Sequence, residues 1–393
     1  MHQKVSQQPA AMMRIAIAGG GSFAYILAQE ITKSAHPVLI LTRQVRLSSS
    51  NSHLYLHPLT PEQPHPEFEE NLPSCQLVQV DYQDVEELHY VLRGVDLLIS
   101  TISNNEQINL IDAARRARVR CFVPSEFEGP LSHRPQPANS TVDPLDNRGS
   151  RAALDLLESW SQSRSHRMNY TVFSCGVFME RFARGGLQPW GIGTQLGLGG
   201  QMMSDYLVNV EQGTAEVVER DAAGRTAYVA MTSMYDVARF VAAAVELTGT
   251  TNGSQGGVPP LERWPREWRV RGDLLAVREV VGVCEMVRGG KYFFCSPFLY
   301  LEIIVSLMNL KQSTAQFSVT RRTYQEAEAW ANEYQRAGDV ATYLYYQRLL
   351  QTANGRYSIR STNLNELVNQ SERTAFQPLR FREWLEQVWT PII

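Results

Sequence analysis

Two rhythms of apolar and polar positions alternate along the first part of the chain. Residues 14–18, RIAIA, and 37–43, PVLILTR, are short runs of nearly unbroken apolar character. Such runs read as strands buried on both faces. Between them Phe23, Ile26, Leu27 and Ile31 recur at helical spacing over residues 23–33. The same alternation follows downstream. QLVQVDY (76–82) reads as a strand and DVEELHYVLRG (84–94) as a helix, with acids at its start and Gly94 at its end. VDLLISTI (95–102) is a strand, EQINLIDAARRAR (106–118) a helix and VRCFVPS (119–125) a strand. Helices between strands predict an α/β fold: a doubly wound parallel sheet of Rossmann type, covered on both faces.

The rhythm is broken in places. Residues 1–12 are polar and read as a disordered tail, and residues 44–74 as a long surface insertion. After a proline-rich loop (128–144), residues 150–163 read as a helix and 169–178 as a sixth strand. Residues 226–233 give a strand, 234–247 a helix, 250–260 a flexible loop, and 267–289 a strand followed by a helix. The last hundred residues read as mostly helical, anchored by Trp330, Tyr343, Tyr345, Tyr346, Trp384 and Trp389. The expected division is therefore a Rossmann domain over 13–180, carrying the 44–74 insertion, and a smaller, mostly helical lobe over 181–393. That lobe interleaves with the last Rossmann elements.

Composition narrows the partners. The 393 residues are 44% hydrophobic and 20% charged, enough for a sizeable core. A net charge of −3, with arginines scattered singly or in pairs, argues against nucleic acid. No apolar run is long enough to span a membrane, and residues 1–12 lack the apolar region of a secretory signal. The five cysteines are odd in number, far apart and without a CxxC pair, which fits reduced cytoplasmic thiols and no metal site. HExxH, GxSxG and Walker A motifs are absent, and neither Tyr170 nor Tyr228 has a lysine four residues on.

Candidate chemistry gathers at the carboxyl ends of the expected strands. In MRIAIAGGGSFAYILAQEI (13–31) a strand runs through three glycines into a helix. A pyrophosphate needs a tight turn, close backbone approach and a helix N-terminus. Gly19, Gly21, Ser22 and Phe23 are the candidate cofactor contacts there. Counted as GxxGxxG from Gly19, the later glycine positions hold Ser22 and Tyr25, and Tyr25 cannot give glycine's close helix–strand packing. A purely structural turn is the competing reading. Arg43 at the end of the second strand can grip a 2′-phosphate, where an acid would suit NADH, so it favours NADPH; an ordinary surface arginine is the alternative. Asp81 and Tyr82 could flank an adenine, and Ser100, Thr101 and Ser103 a cofactor ribose.

VRCFVPSEF (119–127) carries a family resemblance. With DYQDVEELHYVLRGVDLLIST, QINLIDAARRARV, FSCGVFMERF and TSMYDVARFVAAAVEL, it resembles the NmrA-like and isoflavone-reductase-like branch of the atypical short-chain dehydrogenases. TANGRYSIRSTNLNEL and FREWLEQVW look like a fungal secondary-metabolism subgroup of it. The resemblance implies a Rossmann domain with a substrate lobe, NADPH as cofactor, and reduction of a small phenolic or related metabolite. A homodimer is left open. It also implies two alternatives, since regulatory members bind nucleotide without turnover and some fungal relatives serve ring-forming steps.

The family's reductases place a lysine on the helix after the VPSEF loop, in a stretch resembling DRGK. Here the segment is DNRGSRAAL, so Ser150 stands at that place, flanked by Arg148 and Arg151. No lysine occurs between Lys33 and Lys291. Arginine can bind anions and orient a carbonyl, but its pKa above about 12 bars it from general-base work. Serine needs an activating partner. The catalytic candidates are Glu126, Ser150 and Arg148, with Ser125 and Gly176 beside the expected nicotinamide. Glu126 is read either as an acid or base, or as an acceptor that holds the loop. Asp143, Asp146 and His133 are weaker candidates. Cys175 reads as a thiol or as a small buried residue, Phe178 as pocket wall, and Tyr206 and Met202–Met203 as substrate lining or core. An NADPH-dependent oxidoreductase on a small aromatic or polyketide-type metabolite is the leading expectation, ahead of a cyclase or condensing catalyst and a nucleotide-sensing regulator.

Overall fold

A computed structural model describes residues 12–43, Phe68 and residues 71–135, 143–146, 148–192, 206–249, 258–288 and 317–389. Six of its strands form one parallel sheet: β1 (Ile15–Ala18), β2 (Val38–Thr42), β3 (Cys75–Gln79), β4 (Leu97–Ser100), β5 (Cys121–Val123) and β6 (Asn169–Tyr170). Their order is β3-β2-β1-β4-β5-β6. The order reverses between β1 and β4, and ligands of open α/β sheets bind at the carboxyl edge of such a reversal.

Alternate residues of the same strands serve two cores, which is why the runs read as continuously apolar. Ile15, Ile17, Leu97 and Ile99 join one core with α1 (Ser22–Ile31) and α5 (Met234–Glu246). Ala16, Ala18, Leu39, Leu41 and Leu98 face the other, with α2 (Val85–Val91), α3 (Asn104–Arg116) and α4 (Ser150–Gln162). Asp84 caps α2 by accepting the Glu86 and Glu87 N–H groups at 3.0 Å each, and Gly94 closes that segment at φ +77°.

The expected strand over 169–178 is three short ones. Thr171 donates to Phe122 O (3.0 Å), the last bond to the main sheet, and Val172 donates instead to Arg266 O (2.9 Å). β7 (Val172–Ser174) thereby pairs with β12 (Glu267–Arg269). Gly176, at φ +74°, then turns the chain into β8 (Val177–Phe178), which pairs with β11 (Tyr228–Thr232). In these steps the chain passes into a third core.

That core holds β13 (Asp273–Ala276) beside β11, and β9 (Val208–Asn209), β10 (Thr214–Val218) and β14 (Ser318–Arg322) in another small sheet. Around them stand α6 (Val277–Arg288), α7 (Tyr324–Ala337), α8 (Val340–Ala353) and α10 (Phe381–Trp389), while the short α9 (Asn365–Asn369) sits against the Rossmann core. Residues 324–389 are largely helical, as expected. The small sheets were not foreseen. β14 is a short, charged strand whose partner lies about a hundred residues upstream, and its Arg321 and Arg322 are fixed by Glu219 (3.0 Å) and Glu216 (2.8 Å) of the neighbouring segment. The tail before Met12, most of the 44–74 insertion, residues 250–257, Met202–Met203 and Cys295 lie outside the described residues.

Candidate functional site

The chain leaves β1 at Gly19, whose N–H donates to Leu41 O of β2 (2.9 Å). On the other side Thr101 binds the last β1 carbonyl twice, its N–H and its hydroxyl donating to Ala18 O at 2.8 and 2.9 Å. A Cβ at Gly19 would lie 2.1 Å from that hydroxyl, and the residue sits at φ +119°. Only glycine satisfies both constraints. Gly21 is the extended N-cap of α1, where an added Cβ would meet nothing within 4 Å. No side chain caps α1, so the first N–H groups of Ser22, Phe23 and Ala24 point out of the helix without an intrahelical acceptor. Phe23 is buried against Phe127 (ring centroids 4.9 Å apart) and Phe178 (5.3 Å), which joins the turn to the loop after β5 and to β8. Tyr25, the residue that the motif count left without a place, packs its ring edge-on against Phe68 at 5.3 Å. Ala24 and Ala28, fully buried with Ile15 and Ile17, leave the helix close to the sheet without a third glycine.

The adenosine side follows. Arg43, at the end of β2, borders a shallow cleft with Gln79, Val80, Asp81 and Glu87. Asp81 is exposed; its N–H donates to Glu87 (2.8 Å) and its carboxylate accepts from Gln83 N (2.8 Å). Tyr82 offers no open ring to an adenine. It is buried, its hydroxyl donates to Leu41 O (2.9 Å), and Arg43 lies over it at 5.9 Å. Burial pushes that hydroxyl's pKa up. Thr101 and Ser103 follow β4, with Ser103 as the extended N-cap of α3.

The loop after β5 brings three more candidates together. Ser125 donates its N–H to Gln107 of α3 (2.8 Å), and its hydroxyl and carbonyl accept from Arg148 at 2.6 and 3.2 Å. Arg148 is exposed. Its carbonyl accepts Asn104 N–H (3.0 Å), and Asn104 is held at φ +62°, an uncommon conformation for a non-glycine residue. Ser150 opens α4. Its N–H and that of Arg151 donate to Asp146 (2.7 and 3.2 Å), so Asp146 acts as a cap. Gln107 carried no signal in the sequence beyond a polar position on a helix face.

Glu126 has another occupation. Its carboxylate accepts from Arg134 at 2.6 Å and both side chains are buried. Arg134 also lies 3.1 Å from Glu128. Glu128 in turn accepts from Arg356 at 2.9 and 3.1 Å, and Arg356 donates to both oxygens of Asp143 at 2.8 and 2.9 Å. This network pins the loop to the C-terminal segment. His133 adds a ring contact to Gly355 O (2.9 Å), and a Cβ at Gly129 would lie 1.9 Å from Arg356 O. To move a proton, Glu126 would first have to leave Arg134. Cys175 is fully buried, and burial pushes its thiol up, away from reactivity. Gly176 is required by close approach, since a Cβ there would lie 2.1 Å from Ala230 O. Tyr206 is buried in the third core with its hydroxyl on Thr352 (2.9 Å). Among the described residues no group of three or more His, Cys, Asp or Glu could hold a metal, and no helix is long and apolar enough to cross a membrane.

Residues 12–148, which carry the glycine turn, Arg43, Thr101 and the β5 loop, match the model of the NmrA-like family. Over that stretch the chain is similar to the NmrA-like family. A comparison with curated proteins gave no match. Solved structures show a likeness of fold over nearly the whole chain. Leucoanthocyanidin reductase from Vitis vinifera, in binary complex with NADPH, superposes with a TM-score of 0.58 at 13% identity, over 96% of this chain and 100% of that one. An NADPH-dependent quinone oxidoreductase from Escherichia coli gives 0.55 at 14%, over 96% and 100%. Triphenylmethane reductase from Citrobacter sp., complexed with NADP(H), gives 0.54 at 14%, over 95% and 99%. At these identities what is shared is the fold.

Proposed function

We propose that this protein is an NADPH-dependent reductase, of the isoflavone-reductase-like kind, acting on a small aromatic or polyketide-type metabolite. The carrying observation is the turn at Gly19. Thr101 occupies the place of the missing side chain, and the turn opens onto an uncapped helix at the reversal point of the sheet. That is a cradle for a pyrophosphate. Gly21 and the first N–H groups of α1 would hold it, with Arg43 at a 2′-phosphate and Thr101 and Ser103 beside a ribose. The fold neighbours that were solved with NADPH or NADP(H) support the same choice of nucleotide. Bound there, NADPH would supply a hydride.

The residues at the other end define what this chain itself can do. Ser125 is held from both sides, by Gln107 on its N–H and by Arg148 on its hydroxyl. The Arg148 guanidinium can orient a carbonyl and stabilise negative charge developing on its oxygen. Gly176 and Phe178 would wall the pocket. The proton falls to Ser150 or to water, because Glu126 is committed to Arg134.

That same commitment, with serine in place of lysine at position 150, supports a second reading. A cyclase or condensing catalyst on this scaffold would use Arg148 and the shape of the pocket without turning nucleotide over. Incubating the protein with NADPH and candidate aromatic or polyketide carbonyls tests the reductase reading. Oxidation of NADPH in step with substrate is the expected result. Substrate conversion with no change at 340 nm would favour the second reading. Arg43→Glu should abolish the NADPH preference. Ser150→Lys should raise turnover if the missing lysine limits proton delivery, and unchanged turnover would show that it does not.

A further inference from the structure

The guanidinium expected to receive the 2′-phosphate is already engaged. Arg43 is ion-paired to Glu106, with both side chains partly buried, 32% and 24% exposed. Glu106 sits in the first turn of α3, which follows β4, while Arg43 ends β2. β1 lies between those strands, so the pair bridges the carboxyl edge beside the glycine turn. Tyr82 lies beneath Arg43 and fixes the floor under it. Asp81 and Glu87 line the cleft on the far side.

A 2′-phosphate entering this cleft brings a second anion to a guanidinium that already holds one. It must share Arg43 with Glu106 or displace it, and the two anions repel each other at short range. We infer that Glu106 is a specificity-determining residue: it competes with the 2′-phosphate for Arg43 and so holds down the preference for a 2′-phosphorylated nucleotide. This rests on the nucleotide reading above and adds to it a residue that weakens, not strengthens, the choice. Arg43 alone would give a steep preference, whereas the Arg43–Glu106 pair gives a shallower one. Glu106 acts here through Arg43, so its effect belongs on the 2′-phosphate and not on the rest of the nucleotide.

Calorimetric titration of the full chain with adenosine 2′,5′-bisphosphate and adenosine 5′-monophosphate isolates that group. Glu106→Gln should tighten the bisphosphate about threefold to tenfold, because it releases an ion pair and deletes a like charge. The monophosphate should move less than about twofold, since it does not depend on Arg43. Glu106→Asp, which keeps the charge, should retain the wild-type ratio of affinities. In an Arg43→Gln background most of the gain from Glu106→Gln should vanish. Thermal unfolding checks that each variant is folded. An unchanged or weakened bisphosphate affinity in Glu106→Gln overturns the inference, as does an equal change for both ligands. A wild-type chain that binds neither ligand removes the nucleotide reading itself, whereas one that binds both with the ratio unmoved in Glu106→Gln removes only the role of Glu106.

Discussion

Arg356 is the residue on which the junction between the Rossmann half and the C-terminal segment depends. It is 2% exposed, and its guanidinium makes two bonds to Asp143 and two to Glu128. Replacing it with methionine keeps much of the volume and removes the charge. Glu128 would still have Arg134 at 3.1 Å. Asp143, itself buried, would keep only the Leu145 N–H at 3.0 Å among the bonds described. The dominant cost is therefore one buried carboxylate left without its cation, about 3–5 kcal/mol for a broken buried pair. Against a typical stability of about 5–15 kcal/mol, that is a large share. Urea unfolding followed by tryptophan fluorescence and far-ultraviolet circular dichroism should show the unfolding free energy fall by that amount. Adding Asp143→Asn should recover a large part of the loss, because the stranded charge is then gone. A loss below about 1 kcal/mol, or no recovery in the double variant, would refute the reasoning.

Other expectations follow from single contacts. Gly19→Ala places a methyl 2.1 Å from the Thr101 hydroxyl at a backbone angle that alanine avoids, so nucleotide binding should be lost; retained affinity would show that the turn is not the cradle. Glu180 is buried against the Ser233 hydroxyl (2.7 Å) and the Met234 N–H (3.0 Å), and burial pushes its carboxyl up to about 7. The unfolded chain releases that proton near about 4.3. Between these values the folded state holds a proton that the unfolded state lacks, so stability falls as pH rises toward 7 and levels off above it. Glu180→Gln should flatten that part of the stability curve, and a slope equal to wild type would count against the buried carboxyl as its source.

Much of the fold was legible because the sheet is central and parallel. Strands β1, β2 and β4 feed two cores, so their runs are apolar at nearly every position, and no tertiary knowledge was needed to find them. The break after Tyr170 was not legible. Whether Thr171 or Val172 bonds to β5 or to β12 depends on Arg266, almost a hundred residues away. β14 was missed for the same reason: it falls in a stretch read as mostly helical, and its Arg321 and Arg322 meet Glu219 and Glu216 only in the folded chain. At the site, the glycine turn announced itself by residue type, because only glycine tolerates the Thr101 hydroxyl. Arg43 was visible but its partner was not, as Glu106 looked like one acid among several at a helix start. Glu126 stood out as a carboxylate beside the expected nicotinamide, yet its surroundings were set by Arg134 and, beyond it, by Arg356. Charge pairing across more than two hundred residues leaves no periodic trace.

The central claim is that this chain holds NADPH at the turn between β1 and α1. Titrating the full chain with NADPH, with NADH alongside, and following nucleotide fluorescence tests it most directly. Saturable enhancement with NADPH, weaker with NADH, and the preference lost in Arg43→Glu, is the expected result. No binding of either nucleotide up to about 1 mM would contradict the account.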